Sequence, residues 1–120
     1  MIISKDAQAV VYRKKEEVEF LLLKRFDKDK NEKHYRLIKG GVEEDENAEQ
    51  ASIREVEEEV GLTKIISKGK INQYSYQAGA VQHDVDVFLL ESIAPEEIKA
   101  SSEKEGGFTI EEGDWLSQED

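Results

Sequence analysis

Two apolar stretches near the start of the chain flank a charged turn, and this is the pattern of a β-hairpin. The stretches cover residues 9–12 and 18–23, and the turn covers residues 13–17. A short strand-like segment follows at residues 34–38, and two longer ones follow at residues 64–77 and 81–91. Residues 108–116 predict a further strand, after a polar connection that contains the single proline.

One helix, Ala48–Val60, is predicted between these strands. Asn47 is placed as its N-cap, with Gln50 three residues later to complete a capping box, and Gly61 is placed to end it. One side of the helix carries an apolar stripe, and glutamates cluster roughly 140° away from it. The stripe consists of Ile53, Val56 and Val60, and the glutamates are Glu55, Glu58 and Glu59.

The glutamate face has two interpretations. Like charges three or four residues apart destabilise a helix by roughly 0.2–0.5 kcal/mol per pair, so a neutralising divalent cation is expected, and oxygen ligands suit Mg²⁺. A glutamate-rich helix is, however, usually a solvated face, and the chain has 28 acidic residues. The helix alone does not decide between the two.

Composition limits the class of protein. A chain of 120 residues, of which 38% are hydrophobic, predicts a single domain over residues 1–120 with one packed core. The net charge of −11 argues against unassisted binding to nucleic acid or to an anionic membrane. There is no cysteine for thiolate chemistry, and no apolar run approaches the roughly 20 residues of a membrane span. A cytoplasmic protein is predicted.

A longer motif surrounds the helix. Gly40 is followed by five residues, Glu46, seven residues, and then Arg-Glu-Val-Glu-Glu-Glu-Val-Gly-Leu at residues 54–62. These residues fill every position of the Nudix box, Gly-x5-Glu-x7-Arg-Glu-U-x-Glu-Glu-x-Gly-U, in which U is aliphatic. A chance match is on the order of one in a million. The chain therefore resembles the Nudix hydrolases.

This resemblance implies the reaction and the fold. Nudix hydrolases use Mg²⁺ or Mn²⁺ to cleave a nucleoside diphosphate that is linked to another moiety. The implied fold is of the α/β class, an α/β/α sandwich with a mixed central sheet. By position, Glu58 and Glu59 match the main metal ligands, and Glu55 matches a further ligand or the general base. Gly40 matches the position whose backbone carbonyl reaches the metal.

The resemblance also implies a bracing pair. Arg54 and Glu46 match the residues that hold the loop against the helix and so keep the carboxylates in place. A pyrophosphate link is a polyanion, so metal ions must neutralise it and help to activate the attacking water. The predicted catalytic residues are Arg54, Glu55, Glu58 and Glu103.

Segments outside the box are similar to the asymmetrically cleaving diadenosine tetraphosphate hydrolases. They are residues 18–23, the pair His34-Tyr35, and residues 39–43. This likeness implies cleavage of diadenosine tetraphosphate to ATP plus AMP. Residues 97–103 resemble the segment in which that subfamily supplies an extra glutamate, which makes Glu103 the candidate.

The chain departs from this subfamily in two places. Leu37 and Ile38 replace prolines before the box, and Glu44-Asp45 replaces the usual Pro-Gly. The spacing from Glu103 to Trp115 is also longer than expected. Other glutamates can therefore take the extra role, namely Glu105, Glu111 or Glu112.

Candidate substrate contacts lie next to the box. Lys39 stands where a phosphate contact is expected, although a loop lysine is often only solvated. Tyr35 and Tyr76 are placed to stack a nucleobase, although strand tyrosines more often pack against neighbours. His34 and His83 can contact phosphate, but an isolated histidine usually has no such role.

Alternative functions and partners remain. The first alternative is a Nudix hydrolase acting on nucleoside triphosphates, ADP-ribose, nucleotide sugars or 5′-capped RNA. The second is a non-catalytic nucleotide-binding domain, which the intact box carboxylates disfavour. The expected partner is a small nucleotide, without membrane or nucleic acid. Ser117 is placed to begin a last helix, which is expected to be short or missing. The apolar sheet face that this helix would cover is then predicted to be buried by a second copy of the chain in a homodimer.

Overall fold

The fold is that of a computed structural model, which describes residues 1–27, 31–98 and 109–117. Side chains are described for these residues except 25–27 and 109–112. No helix in these segments is long and apolar enough to span a membrane. The elements are β1 (Ile2–Lys14), β2 (Val18–Asp27), β3 (Glu32–Arg36), β4 (Ile38–Gly41), α1 (Ala48–Val60), β5 (Ile65–Ala78), β6 (Val81–Ser92) and β7 (Thr109–Ser117).

These strands form one mixed sheet. Its main order is β3-β2-β1-β6-β5, with β4 beside β1 and β7 beside β2. The β1–β6 pair is parallel, and the other pairs are antiparallel. The predicted α/β class with a mixed sheet is confirmed. Of the two helical layers expected of a sandwich, the described residues contain one, α1.

Strand β1 is the centre of the sheet and is longer than its apolar pattern predicts. The sequence indicated a strand at residues 9–12, whereas β1 begins at Ile2 and includes Lys5 and Asp6. Its first half lies between β4 on one side and β6 on the other. Backbone pairing on both sides therefore outweighs the weak strand preference of the charged residues.

The core lies between the sheet and α1. Val56 and Val60 of the predicted stripe are fully buried, and Ile53 packs against the same cluster. Since side chains alternate along a strand, the buried positions Ala7, Ala9 and Val11 define the helix side of β1. The core cluster also contains Leu21, Leu23, Ile38, Leu62, Phe88 and Leu90.

The ends of α1 are as the sequence predicts. The Gln50 backbone N–H donates to Asn47 Oδ1 at 2.8 Å, and the Asn47 N–H donates to Gln50 Oε1 at 2.9 Å. Gly61 ends the helix with a φ of 77°, a conformation that favours glycine. Two predicted features of the chain's end remain predictions, namely the short or missing helix and the homodimer. Ser117 is the last residue of β7.

Candidate metal and pyrophosphate site

The ion pair between Arg54 and Glu46 joins α1 to the loop before it. Arg54 Nε donates to both carboxylate oxygens of Glu46 at 3.1 Å, and Nη2 donates to Oε1 at 2.7 Å. These bonds hold the pKa of Glu46 below its usual range and raise that of Arg54. Glu46 also accepts from the backbone N–H of Glu43 at 3.0 Å. The predicted bracing pair is therefore formed.

The same guanidinium also reaches strand β4. Arg54 Nη2 donates to the backbone carbonyl of Gly41 at 2.9 Å. Because a guanidinium is a rigid planar fork, one side chain fixes three separate parts of the chain. These parts are the end of β4, the loop at Glu46 and the helix.

Glu55 lies directly against Gly40. A Cβ atom at Gly40 would overlap the Glu55 carboxylate, so only glycine leaves space there. The Glu55 carboxylate is 14% exposed and accepts from Arg54 Nη1 at 3.0 Å. Burial raises the pKa of Glu55, the Arg54 charge opposes this, and the charges of Glu58 and Glu59 add to it. The close approach of backbone and carboxylate explains the glycine at this position of the box.

The three box glutamates do not converge on one point. Glu58 Oε2 accepts from the same Arg54 Nη1 that contacts Glu55, at 3.1 Å, whereas Glu59 is exposed. Within the described segments, no three His, Cys, Asp or Glu side chains form a group that could hold a metal ion. The chemistry of the donors still suits a hard cation, because the carboxylates of Glu55 and Glu58 offer only oxygen. The metal ligands remain a prediction.

Lys39 belongs to a second cluster, on the other face of the sheet. Residues 39 and 40 are consecutive in β4 and therefore point to opposite faces. Lys39 Nζ donates to Asp6 Oδ2 at 3.0 Å and to the Tyr76 hydroxyl at 2.8 Å. It also lies 5.2 Å from the centre of the Tyr76 ring. The structure thus brings together two of the predicted substrate contacts.

Asp6 and His83 complete this cluster. His83 Nδ1 is 2.8 Å from Asp6 Oδ2, and the His83 ring stacks on Tyr76 with 4.7 Å between centroids. Burial would raise the pKa of Asp6, but hydrogen bonds from Lys39, Ser4 and His83 lower it. Burial would lower the pKa of Lys39, but its bonds to Tyr76 and Asp6 raise it. Both charges of the Asp6–Lys39 pair are therefore favoured.

The sequence interpretation missed this role of Asp6 and His83. The sequence pattern assigns no role to Asp6, and it presents His83 as an isolated histidine. A single signal was available, because a carboxylate within a strand must find a partner if it is buried. The pairing of β1 with β6, which makes the cluster, is a long-range contact that no local pattern reports.

The two clusters lie on opposite sides of β4, which is an edge strand. Among the described strands, β4 pairs only with β1, so its other edge is unpaired. Glu55 and Arg54 lie on the helix side of this strand, and Lys39 lies on the opposite side.

A cleft of about 710 Å³ opens beside the start of α1. Its lining is polar and includes one residue of the bracing pair, Glu46, but none of the box carboxylates of α1. Hydrogen bonds from Gln82 and Ser75 lower the pKa of Asp84 in this lining. Other polar side chains of the lining are Lys5, Asn47, Gln73 and Asp86.

The remaining predicted residues are placed separately. Tyr35 lies in β3 opposite Lys24 and is about half exposed, and within the described segments it forms no hydrogen bond or ring contact with Lys39 or Tyr76. His34 is exposed, 3.2 Å from Glu32. Glu103 and its alternative Glu105 lie outside the described residues. Glu111 and Glu112 lie in β7, but their side chains are outside the described part of the structure.

Comparison with known proteins defines the class. The family model of the NUDIX domain matches residues 4–120. No curated protein sequence matches the chain. The chain therefore belongs to the Nudix family, and it is a pyrophosphohydrolase of the kind that generally uses divalent metal ions.

Solved structures agree with this assignment. An Ap4A hydrolase from C. elegans, in a binary complex, is 27% identical, with a TM-score of 0.71, over 97% of this chain and 81% of that chain. A MutT protein from Methanosarcina mazei Go1 is 24% identical, with a TM-score of 0.63, over 98% and 79%. A protein from Jonesia denitrificans DSM 20603, described as a possible asymmetric diadenosine tetraphosphate hydrolase, is 16% identical, with a TM-score of 0.72, over 99% and 79%.

The contact between Gly40 and Glu55 predicts different effects for two neighbouring glycines. Gly40→Ala must displace the Glu55 carboxylate, so turnover should fall at least about tenfold and stability by about 1–3 kcal/mol. At Gly41, an added Cβ meets nothing within 4 Å, so Gly41→Ala should keep most of its activity and lose less than about 0.5 kcal/mol. Steady-state kinetics and thermal melting test both. Equal behaviour of the two variants would disprove this role of Gly40.

Arg54→Ala should lower both activity and stability, because the loop and β4 lose their common tie. The pair is partly exposed, so we expect a loss of about 1 kcal/mol at neutral pH, or a melting temperature lower by about 4 °C. The pKa of Glu46 is lowered in the folded state, so the stabilisation is present above the ordinary value of 4.5 and is lost as the pH falls below it. The melting difference should therefore shrink in acid.

Arg13→Ala is the matched control for this variant. Arg13 pairs with Glu19 at 2.7 Å, with side-chain exposure close to that of Arg54. It lies outside the box, so its loss should cost stability without a specific loss of turnover. If both variants lost turnover equally, or if Arg54→Ala melted like the wild type, Arg54 would not brace the site.

Proposed function

We propose that this protein hydrolyses dinucleoside polyphosphates with Mg²⁺, and that diadenosine tetraphosphate gives ATP plus AMP. The observation that carries the proposal is the hydrogen bond from Lys39 to the Tyr76 hydroxyl. Lys39 directly precedes Gly40, against which the Glu55 carboxylate packs. A cation and an aromatic ring therefore lie on the side of β4 opposite the box carboxylate Glu55. This combination suits a polyphosphate that ends in a nucleobase.

A second aromatic residue supports a substrate with two bases. Tyr35 pairs with Lys24 and its neighbour Arg36 pairs with the buried Leu23, so Tyr35 lies on the face opposite α1. Lys39 and Tyr76 lie on the same face, and Lys39 is four residues from Tyr35 along the chain. The likeness to the C. elegans Ap4A hydrolase, at 27% identity, supports the same substrate class.

Glu55, Glu58 and Glu59, with the backbone carbonyl of Gly40, would hold the Mg²⁺ ions, and Mn²⁺ would suit the same oxygen donors. Bound there, the metal supplies neutralisation of the pyrophosphate charge and a lower pKa for the attacking water. Two cationic side chains of the protein add to this neutralisation. Lys39 binds a phosphate on one side of β4, and Arg54 holds the carboxylates on the other.

Glu55 is the candidate general base. Its contacts with Gly40 and Arg54 hold the carboxylate in one orientation. Glu103 remains the candidate for the extra catalytic glutamate, with Glu105, Glu111 and Glu112 as alternatives. A base on Tyr76 and a phosphate on Lys39 would place the polyphosphate across β4.

Other Nudix substrates are the runner-up. The cleft beside α1 offers hydrogen-bonding groups of both kinds, which also suits the sugar of a nucleotide sugar or of ADP-ribose. Nucleoside triphosphates also stay in this group, because the Nudix box specifies the reaction and leaves the substrate open. Capped RNA is less suitable, because a net charge of −11 repels a long polyanion.

Glu58→Gln or Glu59→Gln should lower turnover at least about 100-fold in saturating Mg²⁺, because each removes a charged metal ligand. Both side chains are exposed, so the melting temperature should stay nearly unchanged. Glu57→Gln is the control, because Glu57 is an exposed glutamate of the same helix at the variable position of the box. Near-normal turnover of either test variant would contradict the metal assignment.

Diadenosine tetraphosphate should be cleaved to unequal products, ATP and AMP. In this proposal the bases bind away from the metal-binding carboxylates. A phosphate linkage near one nucleoside, and not the central linkage, therefore lies at the metals. Chromatography identifies the products, and reaction in ¹⁸O-labelled water shows which phosphorus is attacked. Two ADP molecules would contradict the proposed placement. Cleavage of only ADP-ribose or nucleoside triphosphates would exclude the dinucleoside substrate and leave the Nudix assignment intact.

A further inference from the structure

Asp6 is a buried carboxylate that accepts a hydrogen bond from one proposed substrate contact, Lys39, and contacts His83, which stacks on another, Tyr76. It is 4% exposed and lies in β1 between β4 and β6. Its Oδ2 atom faces both Lys39 Nζ and His83 Nδ1, at 3.0 and 2.8 Å. Its Oδ1 atom accepts from the Ser4 hydroxyl at 2.8 Å. One carboxylate thus joins three strands of the sheet.

We propose that Asp6 is a positioning residue for substrate binding, which sets the place of the Lys39 ammonium and of the Tyr76 ring before the substrate arrives. The proposal rests on the proposed function of Lys39 and Tyr76. Asp6 does not itself contact the reacting phosphate. It acts through the side chains that it holds.

The first connection runs through Lys39. A lysine side chain has four rotatable bonds, and ordering it costs conformational entropy. The bond to Asp6 meets this cost before the substrate binds, and the second bond to the Tyr76 hydroxyl fixes the direction of the side chain. Lys39 keeps a third N–H donor, and a phosphate oxygen can accept from it.

The second connection runs through His83. An ionised carboxylate only accepts hydrogen bonds, so the contact with Asp6 places the proton on Nδ1 of His83. The His83 ring then supports Tyr76, since the two rings are stacked within 8° of parallel. Tyr76 is 37% exposed, so part of it remains available to a base. Asp6 therefore fixes both the charged and the aromatic part of the surface.

The position of Asp6 suits this role because its own backbone is held on both sides. Asp6 lies opposite Gly41 in β4 and opposite Val85 in β6. A carboxylate on a rigid central strand loses little further freedom when it orders two flexible neighbours. The acid is therefore the fixed member of the cluster, and Lys39 is the adjustable one.

Asp6→Asn tests the proposal, because it keeps the shape of the side chain and removes the charge. With the nucleotide that the wild type cleaves fastest in a Mg²⁺-containing panel, KM should rise about 5- to 10-fold. The value of kcat should stay within about twofold, because the Glu55 carboxylate, which touches Gly40, lies on the other face of the sheet. Unchanged KM in a folded variant would overturn the proposal, and so would a loss confined to kcat.

Glu91→Gln is the matched control. Glu91 is a β6 carboxylate that accepts from the Tyr12 hydroxyl at 3.2 Å and pairs with Lys68 at 3.4 Å. It is eight residues from His83, or roughly 26 Å along the strand. Its KM should equal that of the wild type. An equal rise in KM in both variants would show that the loss of any carboxylate of the sheet acts through the fold, and it would overturn the proposal.

A double-mutant cycle with Lys39→Met separates positioning from general stability. If Asp6 acts through Lys39, the KM of Asp6→Asn/Lys39→Met should rise by less than the product of the two single effects. Effects that multiply fully would overturn the connection through Lys39.

A spectroscopic readout is independent of activity. The sequence has two histidines, so the ring signals of His83 and His34 can be assigned in NMR spectra without substrate. Asp6→Asn should shift the signals of His83 and leave those of His34 in place, and unshifted His83 signals would overturn the proposal. Absence of turnover by the wild type on every nucleotide would count against the proposed function instead, while these spectra still test the contact of Asp6.

Discussion

The ion pair between Arg54 and Glu46 is the contact on which the site depends. Helix α1 is already held by its caps and by the apolar side chains that it buries in the core, but the loop before it has few apolar contacts. Arg54 supplies the missing constraint, because one guanidinium reaches Glu46, the Gly41 carbonyl and the carboxylates of Glu55 and Glu58. Its charge also offsets the repulsion between the glutamates of α1. Structure and electrostatics are thus joined in one side chain.

The central strand β1 provides the second constraint. Its helix side carries the small buried residues Ala7 and Ala9, and its other side carries Asp6. The alternation of side chains separates two kinds of chemistry by the thickness of one sheet. Glu55 and Glu58, with Arg54 between them, lie on the helix side, and Lys39 with the rings of Tyr76 and His83 lies on the other. Gly40 and Gly41 end β4, the strand between these two groups.

Net charge also has a structural consequence. A chain with a charge of −11 must still bind a polyanion, so its cations have to be placed locally. Lys39 and Arg54 lie on either side of β4, and each is held by a carboxylate partner, Asp6 or Glu46. Such pairs keep the lysine and the arginine oriented.

The sequence by itself determined the helix with its caps, most of the strands, the Nudix box and the Arg54–Glu46 pair. These features depend on residues close along the chain or on a fixed spacing, so a pattern can report them. Only the tertiary structure decided that Glu55 packs on Gly40, that Glu58 meets Arg54 while Glu59 is exposed, and that Asp6 holds Lys39 and His83. The first of these contacts joins α1 to β4, and those of Asp6 join β1, β4 and β6. Hydrophobic pattern carries no information on which elements become neighbours.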